Sequence, residues 1–349
     1  MITNQKIIEE IFNEINIKCI FRENHESQWI DVARSFKYMP IDYLNSNIEY
    51  LNEYNDQNYD EIFDCSCILF SDNKPIALWP LTIGNKNETS FLTSQDSYVL
   101  PPIFNINCPK KTSKRVYKQA FLVLNKISTN NHIKEWNTST PYMGLTGLDD
   151  WHLLCMKNGA SCSVIHNLYV DLKKDLDKIK LDFRKSYRPL VTQGNKIWTT
   201  KIHTSSIDLV TWKEFKNLHL KAAGRITRSD ESWDIQFNII VENNGFLVSI
   251  YDEEAKMVGG AFIVCSINES RYEIAAYDRD LFDKPLGHLV QFKAIEESKK
   301  RGFDYYIVGR RFFKSDNPKP TQKEISISEF KEGFATYNIP RCIITYKTV

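Results

Sequence analysis

The sequence predicts a mixed α+β protein in which one arrangement of helices and strands occurs twice. Three observations carry this expectation. Apolar positions alternate along the chain between a helical spacing and a strand spacing. Short apolar runs bounded by turn residues come in adjacent pairs, which reads as hairpins. The order helix, helix, hairpin, strand, helix, strand then recurs: Trp29 and Trp212 lie 183 residues apart, and the turns at Asp72 and Asp252 lie 180 apart. The match is one of order and spacing, not of residue identity. It predicts an internal duplication with domains at 1–165 and 166–349, each a mostly antiparallel mixed sheet flanked by helices.

The first copy opens with an amphipathic helix within residues 1–20 (Ile7, Ile8, Ile11, Ile15) that leads into a strand. Helices are predicted over Ser27–Phe36 and Leu44–Tyr54. Cys65–Phe70 is a strand, Ser71–Lys74 a turn, and Pro75–Ile83 the return strand. A turn at Asn85–Glu88 and a loop over 94–102 precede a helix at Ser113–Ile127 with Val116, Ala120, Leu122 and Val123 as its apolar stripe. Between the copies, a strand ends at Asp171, and Leu172, Leu176 and Ile179 begin a helix. Gly194-Asn195 reads as a hairpin turn before a strand over 196–202. The second copy has helices at Trp212–Leu220 and Ile235–Val241, then strands at Gly245–Tyr251, Met257–Cys265 and Arg271–Tyr277.

The stretch Lys284–Arg310 is the centre of that copy. Pro285 suits a first helical turn, where a missing N–H is no loss. Leu286, Leu289, Val290 and Ala294 share a face, and Lys299, Lys300 and Arg301 suit the C-terminal end of the helix dipole. Gly302 supplies a left-handed cap. Phe303–Val308 is then a short buried strand closed by Gly309, with Arg310 and Arg311 after it.

Composition narrows the function classes. At 42% hydrophobic and 13% aromatic residues the chain builds full cores rather than disorder. A net charge of +1 leaves no global field for nucleic acid or membrane, so such binding needs a local patch. Eight scattered cysteines without paired spacing read as reduced core thiols, hence a cytoplasmic chain. Glu9, Glu10 and Glu14 are unlike a signal peptide, and no apolar run approaches the ~20 residues of a membrane helix. His132, His152, His166 and His203 lack partner acids at ligand spacing, so no metal site is expected. There is no P-loop, nucleophile elbow or dinucleotide fingerprint.

Three segments carry a family resemblance. Val170-Asp171-Leu172 is followed by Phe183-Arg184-Lys185-Ser186-Tyr187-Arg188. Leu286-Gly287-His288 opens a helix that continues through Ala294-Ile295 to Gly302 and the strand end Tyr306-Ile307-Val308-Gly309. Ile327-Ser328-Glu329-Phe330-Lys331-Glu332-Gly333-Phe334 closes the set. Together, over residues 165–335, they resemble the Fem-type peptidyltransferases (FemAB/FemX-like); residues 20–130 match only by element order. The resemblance implies two tandem GNAT-like domains (GNAT being the N-acetyltransferase fold), the N-terminal copy degenerate and the C-terminal one carrying the active site. It implies transfer of an acyl or aminoacyl group to an amine of a sugar nucleotide, glycan or cell-envelope precursor. Acyl-CoA or aminoacyl-tRNA would be the co-substrate. This chain departs from the pattern in three places: no Asp follows Tyr306, no heptad run could form the long antiparallel helical arm of some members, and Asp283–His288 supplies one glycine where an acetyl-CoA loop has two.

Candidate site residues follow. Arg225, Arg228, Glu231 and Trp233 crowd a glycine-containing loop that would border the acceptor; arginines clamp carboxylate or phosphate, and an indole stacks on a sugar. Asp278 or Glu231 would act through water as the base that frees the attacking amine. Arg184, Arg188 and Arg310 are further acceptor-binding candidates, and Leu286, Gly287 and His288 would face the donor's phosphate. Lys110, Lys111, Lys114, Arg115 and Lys118 form the densest basic stretch, a candidate tRNA surface. A different class of reading is a non-catalytic glycan or nucleotide-sugar binding module.

Overall fold

The computed structural model describes residues 5–56, 58–94, 98–140 and 148–348. The expected loop over 94–102 lies partly outside them. The chain divides into two compact units. One runs to Val164 and takes back the C-terminal stretch from Arg341; the other spans Ile165–Pro340. The stretch from Arg341, expected with the second half, thus lies in the first unit.

The first unit holds α1 (Gln5–Glu14), β1 (Cys19–Phe21), α2 (Glu26–Arg34), α3 (Asn45–Asp56), β2 (Glu61–Asp64), β3 (Cys67–Ser71) and β4 (Lys74–Trp79). Then come β5 (Thr82–Lys86), β6 (Thr89–Thr93), β7 (Ile103–Phe104), α4 (Lys110–Asn130), β8 (Glu135–Thr138) and α5 (Asp150–Lys157). The strands form one sheet in the order β1-β3-β4-β7 and a second in the order β2-β5-β6. The predicted hairpin is β3–β4, but its return strand ends at Trp79. Pro80 has no N–H to give a ladder, and Thr82–Lys86 pairs instead with β2 and β6. The next turn tightens on Asn87 and Glu88, at φ 48° and 63°. Successive residues of β3 face opposite sides. Cys67 and Leu69 join Trp79 and the α4 residues Val123 and Leu124 in one core. Ile68 joins Leu78 and the α2 residues Trp29 and Val32 in another. Burial on both faces explains why β3 reads as a continuous apolar run.

The second unit begins within β9 (Ser161–Asp171). It continues with α6 (Leu176–Asp182), α7 (Tyr187–Ile197), β10 (Thr199–His203), α8 (Leu209–Ala223), α9 (Asp230–Val241), β11 (Gly245–Tyr251), β12 (Met257–Cys265) and β13 (Glu269–Tyr277). It then has α10 (Leu286–Lys300), β14 (Tyr305–Arg311), α11 (Gln322–Glu332) and the start of β15 (Tyr337–Lys347), whose far end pairs with β8 in the first unit. The strand order in this unit is β10-β11-β12-β13-β14-β9. Every neighbouring pair is antiparallel except β13 and β14, which run parallel with α10 as their connection.

Two expectations change here. Gly194-Asn195 is not a turn; both lie inside α7. A Cβ at Gly194 would sit 3.0 Å from that of Leu289, so the glycine lets α7 pack closely on α10. Pro285 stands at the cap of α10 rather than in its first turn, with φ −80° and ψ 56°. Gly302 does take the left-handed cap, at φ 84°. The core on the α10 side joins Leu289, Val290, Phe292 and Ile295 to Phe246, Val248 and Ile250 of β11. Burying each such side chain contributes about 1.5–3 kcal/mol. On the other face Trp212 of α8 meets Phe262 edge-on, with ring centroids 5.8 Å apart. No described helix is long and apolar enough to cross a membrane, and none of the eight cysteines is in a disulfide.

Candidate active site

Strands β13 and β14 pair over only three positions: Glu269 with Tyr305, Ser270 with Tyr306 and Arg271 with Ile307. Beyond Arg271 they share no ladder among the described residues. β13 is irregular there, its register against β12 shifting between Phe262 and Ile263, and so is β14. Its register against β9 shifts between Ile307 and Gly309, and Gly309 adopts φ 130°, a value side-chain-bearing residues rarely take. The bulge re-aims the strand. A wedge therefore opens toward the C-terminal ends of two parallel strands, next to the start of α10.

Lys331 of α11 reaches into that wedge. Its Nζ lies 2.9 Å from where a Cβ on Gly309 would stand and 5.3 Å from the centre of the Tyr272 ring. Any side chain at 309 would displace the amine. Lys331 forms no ion pair among the described residues; burial holds its pKa below the ordinary lysine range, with nearby Glu273 opposing. Tyr272 and Tyr277 share a 2.8 Å hydrogen bond between their hydroxyls, and Tyr306 donates to Gln291 Oε1 at 2.9 Å. Burial pushes the Tyr272 phenol up to about 12, so it stays protonated and able to donate. Arg311, itself buried, ties α11 to β14: its Nε donates to Glu332 at 3.0 Å and its Nη1 to Ser328 Oγ at 3.2 Å. That brace fixes where Lys331 points.

Some expected residues gather beside this wedge. The His288 ring meets Tyr187 and Phe330 edge-on at 4.6 Å and 5.1 Å, and burial, with Arg184 adding to it, lowers its pKa to about 4. It is a neutral imidazole in an aromatic cage. Gly287 lies where a Cβ would stand 3.1 Å from Phe330 and 3.6 Å from Tyr277. Leu286 is buried in the core. Arg184 donates to Tyr187 Oη at 3.0 Å and to the Glu329 carbonyl at 2.9 Å. Arg310 stacks on Phe312 at 4.4 Å and approaches Asp316 at 3.8 Å. Arg188 is turned toward the carbonyls of Leu181 and Phe183 and lines a pocket of about 420 Å³ with Val191 and Phe292.

The α8–α9 loop is a different case. Trp233 is buried against Trp212 and Phe215, at 5.5 Å and 6.0 Å, so its indole faces the core and offers no face to a sugar. Arg228 lies over that indole at 5.1 Å and reaches Gln236 at 3.5 Å. Arg225 is exposed in the loop, and Glu231 is exposed in the first turn of α9, where an acid suits the dipole. Asp278 ends β13. Lys221 donates to both its oxygens, at 3.1 Å and 3.0 Å, and Lys256 lies 3.9 Å away. The Lys221 contact holds the Asp278 carboxyl below its usual range. That is the setting of a pinned, charged cap. Nothing joins Arg225 or Arg228 to Asp278 among the described contacts.

In the first unit, Lys110, Lys111, Lys114, Arg115 and Lys118 are exposed along the first turns of α4, with Lys114 3.3 Å from Asp150. Among the described residues no cluster of His, Cys, Asp and Glu is built to hold a metal. Sequence reasoning passed over Lys331, although it lies in the closing segment that carried the resemblance. The available signal was a lone lysine between Phe330 and Phe334, in a helix whose aromatic residues face inward.

No protein-family model matches the sequence, and no curated protein matches it. Solved structures do match. FemX superposes with a TM-score of 0.66 at 11% identity, covering 95% of this chain and 97% of its own. The structure of L-PGS from Bacillus licheniformis gives 0.54 at 11%, covering 99% and 92%. A tandem GNAT protein from the clavulanic acid biosynthesis pathway, without AcCoA, gives 0.51 at 9%, covering 95% and 99%. The chain thus has the mixed α+β, FemX-like tandem GNAT fold along nearly its whole length.

Proposed function

We propose that the second unit is an N-acyltransferase whose reaction takes place in the wedge between β13 and β14. The observation that carries this is Lys331, an amine held in a partly buried gap between diverging parallel strands. Strand edges without a ladder partner expose N–H and C=O groups, and an arm bearing amides binds such an edge as an added strand. An acyl thioester on a pantetheine arm is a donor of this kind. The N-terminus of α10, at Leu286–His288, lies at the mouth of the wedge and suits the donor's phosphates.

The chemistry is direct attack. The amine nitrogen adds to the donor carbonyl, negative charge builds on the carbonyl oxygen, the C–S bond breaks, and the proton lost by nitrogen ends on the departing sulfur. Lys331 supplies a positive charge where the oxyanion forms, in a partly buried site, where such stabilisation counts more than in open water. Tyr272 and Tyr277, bonded hydroxyl to hydroxyl, have one free O–H between them to donate to the same oxygen or the leaving sulfur. The acceptor is an amine on a sugar nucleotide, glycan or envelope precursor, with Arg225, exposed beside α8, as its anion contact. Asp278, neutralised by Lys221, is a weak base, and the exposed Glu231 is left as the carboxylate that takes, through water, the first proton of the acceptor's ammonium before attack; the second proton is the one that ends on sulfur.

The decisive experiment pairs binding with turnover. Saturating acetyl-CoA or CoA is expected to raise the melting temperature by roughly 2–4 °C, the mass-action effect of about 2.7 kcal/mol at a hundredfold excess over Kd. Lys331→Met, similar in length but without charge, is expected to keep that shift and lose ~10²–10³-fold in kcat for amine acylation, measured by thiol release. A shift with aminoacyl-tRNA and none with CoA assigns the donor to tRNA, a reading favoured by the five exposed cations of α4. No shift with either leaves a non-catalytic binding module.

A further inference from the structure

Cys162 is exposed and Cys342 half-buried, whereas Cys65, Cys67, Cys155 and Cys265 are buried. The first two lie on neighbouring strands, Cys162 near the start of β9 and Cys342 midway along β15. Contacts along these strands run in opposite directions. Thr336 N donates to the Tyr169 carbonyl at 2.8 Å, the His166 ring meets Asn338 Oδ1 at 3.2 Å, and Ser161 Oγ donates to the Thr345 carbonyl at 3.5 Å. The strands are therefore antiparallel. Cys162 lies four residues before His166 and Cys342 four after Asn338. With side chains alternating at a period of two, the cysteines stand across from each other, on the face of the His166–Asn338 contact. Their thiols are within hydrogen-bonding reach of each other.

Residues directly opposite in an antiparallel pair have Cα atoms about 4.5 or 5.5 Å apart. Both values fall within the roughly 4.4–6.8 Å that a disulfide spans. The place of the pair in the chain gives such a bond a consequence. The chain leaves the first unit after Val164 and re-enters it at Arg341. A bond between positions 162 and 342, which are 180 apart, encloses the whole second unit in one loop. Closing a long loop removes more freedom from the unfolded chain than closing a short one. We propose that Cys162 and Cys342 form a reversible disulfide that ties β15 to β9 where the chain leaves and re-enters the first unit, with a small disulfide such as oxidised glutathione as the oxidant. The exposed Cys162 reacts first. Its thiolate attacks one sulfur of the small disulfide and releases a glutathione thiolate. The Cys342 thiolate then attacks the Cys162 sulfur of the mixed disulfide and releases the second glutathione. Two protein thiols are oxidised, one glutathione disulfide is reduced, and the two protons pass to the glutathione thiols. Partial burial of the Cys162 sulfur, with Cys342 beside it, raises its pKa. Little thiolate is present at neutral pH, so the bond forms slowly and follows the ambient redox poise rather than a burst of peroxide. The tether is independent of the transferase reading.

The test equilibrates the full chain with oxidised glutathione, blocks the remaining thiols by alkylation and digests with trypsin without reduction. Cleavage after Lys157, Lys173, Arg341 and Lys347 releases Asn158–Lys173 and Cys342–Lys347, each with a single cysteine. The expected product is these two peptides joined, holding more than roughly half of the Cys162 signal and separating with dithiothreitol. The oxidised chain is expected to melt at least about 4 °C higher than the reduced one. Cys162→Ser, at an exposed position with little risk to the fold, is expected to melt alike in both buffers. The proposal is overturned if Cys162 ends as a free thiol or as a lasting mixed disulfide with glutathione. It is equally overturned if Cys342 is found linked to another cysteine, or if the joined form melts no higher than the reduced chain. Neither readout involves CoA or Lys331, so its failure leaves the CoA result of the second unit untouched.

Discussion

Lys331 and Asp278 show how far a residue's role depends on what surrounds it. Both are charged groups near the C-terminal end of β13. Asp278 meets two lysines and a backbone N–H at 3.2 Å, so its charge is satisfied. Lys331 meets an aromatic face and a glycine, so its charge is held ready. Asp278→Asn keeps the cap acceptor and removes the charge held by Lys221. It is expected to cost about 1 kcal/mol of stability and to leave acyl transfer within about threefold of wild type, whereas a loss of ~10²-fold or more would return the base role to Asp278. Trp233 makes the same point. As a letter in a loop beside two arginines it suggested a stacking platform; folded, it is the core of that loop and holds Arg228 in place. The Arg184–Tyr187–His288 cluster, by contrast, joins residues from two separate resemblance segments.

At the scale of elements, glycines decide the close approaches. A Cβ on Gly333, which follows α11 at φ −62°, would stand 2.1 Å from the Tyr187 ring. Its backbone angle suits alanine, so the effect of a substitution is steric. Gly333→Ala is expected to lower stability by about 1–3 kcal/mol, the range for overpacking, read as a drop in urea midpoint with an unchanged m-value. Replacing Tyr187 by leucine in the same chain should recover part of the loss; failure to recover any would place the clash elsewhere. Gly309 is the other kind: its φ of 130° and the nearness of Lys331 both exclude a side chain. Gly309→Ala should therefore reduce acyl transfer about as much as Lys331→Met, because it displaces the same amine. The elements themselves were largely legible, since strands β11 and β12 and helices α8 to α10 follow from periodicity and turn residues. Two misreadings had local causes. Pro80 splits one apolar run into strands of two different sheets. Gly194-Asn195 resembles a turn pair but serves helix packing, which only the position of Leu289 reveals.

For the whole molecule, three half-buried histidines set the acid side of stability. Burial holds His219 and His288 at about 4, below the ordinary histidine value of 6.5, and lowers His203 as well. The folded pKa lies under the unfolded one, so the unfolded chain binds more protons in this window. Stability is fully present above about pH 6.5 and is lost as pH falls toward 4. The melting temperature is expected to decline from pH 7 to 5, before most carboxylates titrate, and the double variant His219→Gln/His288→Gln should flatten that decline. An unchanged slope would show that these rings do not carry it. The duplication is a property of the same scale. In each unit a two-helix pair precedes a hairpin, and a long helix follows: α2, α3, β3, β4 and α4 in the first, α8, α9, β11, β12 and α10 in the second. In each, the strand after the long helix pairs antiparallel with a strand from elsewhere in the chain, β8 with β15 and β14 with β9. The counterpart of β13 is the two-residue β7, so the wedge belongs to the second unit. By itself the amino-acid order determined the fold class, the repeat and most of the elements, because hydrophobic period, capping and turn chemistry act over a few residues. The tertiary structure alone decided the wedge, the return of the C-terminal strand to the first unit, and the choice of Lys331 over Trp233 and Asp278. Those depend on which side chains meet across long separations, where burial and pairing fix what a charge or a ring can do.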